Sequence, residues 1–291
     1  MAAKSRRRRL YARPMRRPNL VFIMSDDHAS HAIGAYGSRI NETPNLDRIA
    51  AGGMRFDSCF CTNSICTPSR AAVLTGTYNH VNGVTTLDTP MDNTLVTYPK
   101  LMQEAGYQTA IFGKWHLGHG PAHDPAGFDE WAVLPDQGLY HDPDFLTPDG
   151  RIVVEGYATD IITDMSLRWL EDRDPGRPFA LMIHHKAPHR PWEPDERHAA
   201  MYEGEHIPEP ETFWDDYAHR ATAAKVAEMR MMDLNEMDLK QPVPQGLSHP
   251  EEISWRYQRY IKDYLRVVAS IDDNVGRVLD WLDDAGLAGD T

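Results

Sequence analysis

The chain has 291 residues, of which 41% are hydrophobic and 25% charged, with 20 glycines and 21 prolines. That balance excludes collagen, coiled coil and wholesale disorder, and the length allows one large domain or two small ones. The absence of any apolar run of about eighteen residues rules out a membrane-spanning helix. The net charge of -13 is unevenly spread. Residues 1–17 hold Lys4 and seven arginines (Arg6, Arg7, Arg8, Arg9, Arg13, Arg16 and Arg17) and no acid. Setting those eight aside leaves 22 basic residues against 43 acidic ones, a body near -21. Nucleic acid is excluded as a partner for such a body, because phosphate backbones demand clustered cations. The head reads as a solvated, disordered basic segment. No apolar core follows its charges, so the chain as written reads as cytoplasmic; a misplaced start would make it periplasmic or secreted.

The elements alternate. Leu20–Met24 is a continuous apolar run that reads as a strand buried on both faces. Thr43-Pro44 opens a helix that Gly52-Gly53 closes. A short strand is expected near Met54 to Phe60, then a helix from Thr67 to Leu74 with Cys66 at its mouth. A helix near Tyr98 to Ala105 leads into a strand from Gln108 to Phe112. Residues 118–151, rich in Gly, Pro, Asp and His, read as a long surface excursion. A helix near Tyr157 to Glu171 and a strand from Phe179 to His184 restore the alternation. Pro188 to Pro250 is proline- and acid-rich, with one helical stretch expected near Asp216 to Met232. Tyr257, Ile261, Tyr264, Val268, Ile271, Val275, Val278 and Leu282 recur at three and four, one apolar stripe of a long helix ending at Gly286. Asp272-Asp273-Asn274 lies inside that helix and reads as its polar face. Strands alternating with helices imply an α/β fold with a largely parallel sheet. The text stops at Leu287–Thr291, a connector where a further buried strand is expected, so the sequence reads as cut short.

Cys59, Cys61 and Cys66 are the only cysteines. An odd, clustered set is no disulfide framework, and its spacing matches no common zinc site. Ligands in open α/β sheets gather beyond the carboxyl ends of strands. Asp26 and Asp27 follow such an end and suit a hard cation that takes oxygen ligands, although a cap or turn uses the same residues. Cys66 at a helix mouth faces amide N–H groups and the positive end of the dipole, and Arg70 returns to the same face four residues later.

The string Cys66-Thr67-Pro68-Ser69-Arg70, with Leu74-Thr75-Gly76 behind it, resembles the core motif of the type I, formylglycine-dependent sulfatases of the alkaline-phosphatase superfamily. Arg17-Pro18-Asn19-Leu20 before Asp26-Asp27, Thr43-Pro44-Asn45-Leu46-Asp47, Gly113-Lys114-Trp115-His116-Leu117-Gly118 and Pro188-His189-Arg190-Pro191 extend the resemblance over residues 18–291. It implies an α/β/α sandwich of which 18–291 is the N-terminal part of the catalytic domain, without its last strands and small C-terminal domain. It implies a maturation enzyme that oxidises Cys66 to formylglycine, whose hydrate attacks sulfur with one hydroxyl and expels sulfate with the other. It also implies a divalent cation, Ca2+ or alternatively Mg2+, on Asp26, Asp27 and residue 66. Arg70 and Lys114 match the cations that hold diol and sulfate, His116 the base for the second hydroxyl, and His189 the group facing the leaving oxygen. The remaining family metal ligands and a further sulfate-binding lysine have no counterpart before Thr291, so the fragment alone is expected to bind metal weakly.

His184 to Trp192, Pro208 to Phe213 and Trp255 to Val275 look most like bacterial sulfatases acting on sulfated sugars and glycosaminoglycans, N-acetylglucosamine-6-sulfatase-like members above all. Gln137 and Tyr140, in the excursion, offer amide and aromatic groups to sugar hydroxyls. The rival readings are a phosphodiesterase or phosphonate monoester hydrolase of the same superfamily, an inactive fragment, and a small zinc module on the three cysteines.

Overall fold

A computed structural model describes residues 17–291. The expected basic head therefore lies outside the described residues, Arg17 excepted. One sheet runs in the order β1-β6-β2-β3-β4-β5, from β1 (Leu20–Met24), β2 (Gln108–Lys114), β3 (Glu130–Leu134), β4 (Asp144–Thr147), β5 (Gly150–Val153) and β6 (Phe179–His184). The first four in that order pair in parallel, and β4 and β5 join as antiparallel strands. The helices are α1 (Pro44–Gly52), α2 (Cys66–Thr75), α3 (Asn79–Asn82), α4 (Tyr98–Glu104), α5 (Ala158–Asp172), α6 (Thr222–Lys225), α7 (Glu236–Leu239) and α8 (His249–Asp284). No described helix is long and apolar enough to cross a membrane.

The two-residue period of the central strands feeds both faces. Ala110 and Phe112 of β2 and Leu181 and Ile183 of β6 pack with Ile162 and Leu170 of α5 and Val278 and Leu282 of α8. Ile111 and Met182 turn the other way, onto Ala71 and Leu74 of α2. The result is the expected α/β/α sandwich with a largely parallel sheet, and β2 and β6 are buried along their whole length.

Several elements differ from the sequence reading. Among the described residues β1 pairs only with β6, and Leu20 and Phe22 remain 38% and 36% exposed rather than buried on both faces. Met54 to Phe60 forms no strand; it finds no partner strand, and Phe60 is 88% exposed. The excursion 118–151 contributes β3, β4 and most of a hairpin, because Pro148-Asp149 is its tight turn rather than open loop. Between Asp216 and Met232 only α6 is α-helical, with a 3-10 turn starting at Met231, since Val226 and Met229 stay exposed and offer no packed face to sustain a longer helix. α8 starts eight residues before Tyr257, where Ser248 and Glu251 form a reciprocal capping box and Pro250 occupies the first turn.

Within α8 the expected polar face is largely buried. The Asp272 carboxylate accepts from the backbone N–H of Asn45 at 3.1 Å and of Leu46 at 2.8 Å, capping α1 from outside its own chain segment. Gly276 lets α1 come this close, since a Cβ there would stand 2.6 Å from the Asn45 side chain. Asn274 donates to Asp160 at 2.7 Å and ties α8 to α5.

Two outcomes follow from these contacts. Asp272→Ala leaves the α1 donors uncapped and is expected to cost about 2 kcal/mol in urea unfolding; a loss below about 0.5 kcal/mol would refute the cap. Burial pushes His184 down to about 3 and His185 down to about 4. The unfolded chain therefore takes up protons below about 6.5 that the native state refuses. The urea midpoint should fall as pH is lowered from about 6.5 towards 4, and a flat profile would show that neither ring is held neutral.

Candidate active site

β1, β6 and β2 are parallel neighbours, so their carboxyl ends share one rim. Ser25-Asp26-Asp27 leaves β1 there, Lys114 ends β2, and His185 to His189 leaves β6. Hydrogen bonding continues past the strand ends: His185 N–H donates to Met24 O at 2.8 Å and Asp26 N–H to Ala187 O at 2.9 Å. Gly113 has φ 104°, and a Cβ on it would stand 2.0 Å from the His184 carbonyl oxygen, so only glycine permits this approach of β2 to β6.

α2 opens onto the same rim. Cys66 is its first residue and half-buried, and Ile65 before it gives no side-chain cap, which leaves the N–H groups of Cys66 and Thr67 without one at the edge of the cleft. The cleft holds about 510 Å3 and is lined by Asp26, Asp27, His28, Cys61, Cys66 and Arg70 among others.

Cations hold the buried Asp26 carboxylate. Its Oδ2 accepts from the Lys114 ammonium and lies 3.6 Å from Arg70 Nη2. Burial alone would raise its pKa, but Arg70 and Lys114 outweigh it and hold the group below the usual carboxylate value. Arg70 Nη1 donates to Lys114 O at 2.6 Å and sits 3.2 Å from His184 Nδ1. Lys114 Nζ also donates to Gln137 Oε1 at 2.5 Å, so Gln137 is engaged with the lysine. Burial pushes the Cys66 thiol up; Lys114 pulls it down, and Asp26 opposes that pull.

Two histidines stand around this group. His189 Nε2 is 3.7 Å from Asp27 Oδ2, and its Nδ1–H donates to Arg190 O at 2.7 Å. Burial, then Lys114, lowers its pKa. His116 follows Lys114 by two residues in a left-handed backbone with φ 54°. Burial first, then Lys114 and Arg70, push it down to about 4, so it is neutral at pH 7.

Of the residues expected from sequence, Asp26, Asp27, Cys66, Arg70, Lys114 and His189 converge. Tyr140 does not face the cleft: it is 1% exposed and donates its hydroxyl to the His189 carbonyl at 2.5 Å. His184 and Lys186 escaped sequence reading; their only signal was adjacency to His189 at a strand end.

Asp26, Cys66 and His189 each place a ligand atom within 4.8 Å of the others, the one such group among the described residues. The three cysteines form no such group among the described residues, and Cys59 and Cys61 are exposed. Carboxylate oxygens suit a hard divalent cation, and an oxygen in place of the Cys66 sulfur would extend the set. Asp26, Asp27 and residue 66 fit such an ion in kind, though such ions take roughly six to eight donors.

The sulfatase family profile matches residues 18–291. An N-acetylglucosamine-6-O-sulfatase of Bacteroides thetaiotaomicron is 40% identical over 315 aligned residues, which cover 93% of this chain and 56% of that protein. The N-acetylgalactosamine-6-sulfatase of Rattus norvegicus is 44% identical over 133 residues, 40% of this chain and 25% of its own. A solved structure of a protein in complex with its substrate D-glucosamine-2-N,6-O-disulfate superposes with a TM-score of 0.90 at 39% identity, covering 94% of this chain and 64% of that one. A phosphonate monoester hydrolase of Agrobacterium radiobacter shares the fold, with a TM-score of 0.68 at 20% identity, over 94% of this chain and 61% of its own. The chain thus spans little more than half the length of the curated relative it matches along most of its residues. With the family profile spanning every residue from Pro18 to Thr291 and the motif residues gathered on one rim, this chain belongs to the sulfatase family.

Proposed function

We propose that this chain carries the catalytic core of a sulfuric ester hydrolase acting on sulfate monoesters of amino sugars, with glucosamine 6-sulfates as the leading class. The observation that carries the reading is the placement of residue 66 at the head of α2, among Arg70, Lys114, Asp26 and His189. The substrate class rests on the relatives whose names and bound ligand are glucosamine 6-sulfates.

As a cysteine, residue 66 is a protonated, weakly nucleophilic thiol, because burial raises its pKa. Oxidation to formylglycine by a maturation enzyme supplies a hydrated aldehyde there, an oxygen nucleophile that can later release sulfate by carbon–oxygen cleavage. A divalent cation, calcium foremost, would be held by Asp26, Asp27 and residue 66 and would polarise the sulfate oxygens. The rest is the work of the chain's own side chains. Arg70 and Lys114 present fixed positive charge to an anion at the α2 mouth, and the helix N–H groups add to it. Gln137 keeps the Lys114 ammonium in place. Neutral His116 is free to take a proton at the rim. His189 has its Nδ1–H fixed on Arg190 O, so when protonated its Nε2–H can meet the leaving oxygen.

In protein of full natural length from its host, the tryptic peptide from Phe56 to Arg70 should carry the aldehyde at residue 66 by mass spectrometry. Cys66→Ala should lower kcat/KM on glucosamine 6-sulfate by at least about 1,000-fold. An unmodified thiol in active enzyme would sink the mechanism. Faster turnover of phosphate diesters or phosphonate monoesters than of any sulfate ester would move the protein to that branch of the superfamily.

A further inference from the structure

The segment that leaves β6 carries His189 on a small scaffold of buried groups with no role in the scheme so far. His189 N–H donates to Lys186 O at 3.1 Å, closing a turn. Its own carbonyl accepts the Tyr140 hydroxyl at 2.5 Å. The next carbonyl, that of Arg190, accepts both from His189 Nδ1 at 2.7 Å and from Lys186 Nζ at 3.4 Å. A carbonyl oxygen only accepts, so Nδ1 bears hydrogen and Nε2 is the nitrogen presented to the cleft, 3.7 Å from Asp27 Oδ2.

The groups that hold these two carbonyls are unusual. Lys186 is 2% exposed and has no carboxylate partner among the described residues. Burying an unpaired ammonium is costly; here the cation rests on the Tyr140 ring, with Nζ 4.8 Å from its centroid. Tyr140 is stacked in turn on Tyr157, with centroids 5.9 Å apart and planes at 21°. Arg190 is pinned from outside by the buried Asp238, which takes its Nε at 2.9 Å.

We propose that Tyr140 and Lys186 are positioning residues for His189: together they fix the two consecutive carbonyls that set the plane of its imidazole and aim Nε2 at the leaving oxygen. The inference rests on the sulfatase reading and on His189 as the donor to that oxygen. In that step an already deprotonated hydroxyl oxygen of residue 66 bonds to sulfur while the ester S–O bond breaks. The bond's electron pair stays on the leaving oxygen, and the imidazolium form of His189, which carries hydrogen on both nitrogens, gives it the Nε2 proton and keeps the one on Nδ1. A donor displaced by about an ångström loses much of its effect.

Leaving-group dependence separates this role from mere support of the fold. 4-Nitrophenyl sulfate leaves without a proton, whereas a glucosamine 6-sulfate must release an alkoxide. In protein of full natural length, Tyr140→Phe and Lys186→Met should each lower kcat on glucosamine 6-sulfate by about 10- to 100-fold, within the range of general-acid effects. KM, and kcat on 4-nitrophenyl sulfate, should change by less than about 3-fold. Equal losses on both substrates, or none on the sugar, overturn the proposal. His189→Ala serves as the reference: if it too loses equally on both, His189 is not the donor, and the underlying assignment falls together with this one. If His189→Ala discriminates and the two variants do not, only the positioning role falls. Should Tyr140→Phe fail to fold, as judged by its melting temperature, Lys186→Met decides on the same readout.

Discussion

The arrangement at the rim depends on one buried carboxylate kept ionised. Asp26 is 7% exposed, and in that environment an isolated carboxyl would take a proton. Lys114 and Arg70 prevent it, and each comes from a different element: β2, α2 and, for Asp26 itself, the end of β1. A unit charge pair about 4 Å apart is worth roughly 4 kcal/mol near a protein surface. Desolvation offsets much of that attraction, so the triad adds less to net stability than to register. Removing one member leaves uncompensated charge in the interior, at a cost of about 3–5 kcal/mol. The triad therefore fixes where α2 sits against the sheet, and with it the position of residue 66. Its geometry depends on backbone too: Arg70 reaches the Lys114 carbonyl where Gly113 lets β2 close on β6.

The same charges decide what residue 66 can be. A helix mouth and two cations would ordinarily favour a thiolate. Here burial is the largest influence on the Cys66 thiol and acts the other way, helped by Asp26 and Asp27. The surroundings thus suit an incoming anion better than an anionic sulfur. That agrees with a residue whose reactive atom becomes oxygen and whose ligand brings the negative charge.

Parts of this were readable from the sequence, for identifiable reasons. Asp26-Asp27 follows a strand, so local pattern alone puts it at a carboxyl end, and Cys66 and Arg70 lie one helical turn apart, so the same kind of pattern puts them on one face of a helix mouth. Lys114, His116 and His189 carry no such pattern, and only family resemblance singled them out. Tyr140 was misjudged because its Gly- and Asp-rich neighbours look like open loop; its burial comes from Tyr157 and Lys186, which are distant in sequence or unremarkable in type. Lys186 carries no signal of its own beyond its place beside His189 in the stretch after β6. The Ser248–Glu251 box and Pro250 in the first turn start α8 where the sequence reading has only a proline- and acid-rich stretch. The β4–β5 hairpin was hidden the same way by Pro148-Asp149-Gly150.

The long helix α8 shows how distant structure reaches the chemistry. Asp26 and Asp27 are adjacent, yet one faces inward to protein cations and the other outward, with 63% of its side chain exposed. Asp27 achieves this with φ 63°, a left-handed conformation that aspartate tolerates at some cost. Tyr264 of α8 holds it there: its hydroxyl accepts from Ala29 N–H at 2.7 Å and donates to Asp27 O at 3.2 Å. Two turns further along, Asp272 of the same helix caps α1. One rigid rod thereby sets both the turn that parts the two carboxylates and the helix that follows it. The split between an inward and an outward carboxylate is what lets one rim hold protein cations and still leave carboxylate oxygens facing the cleft.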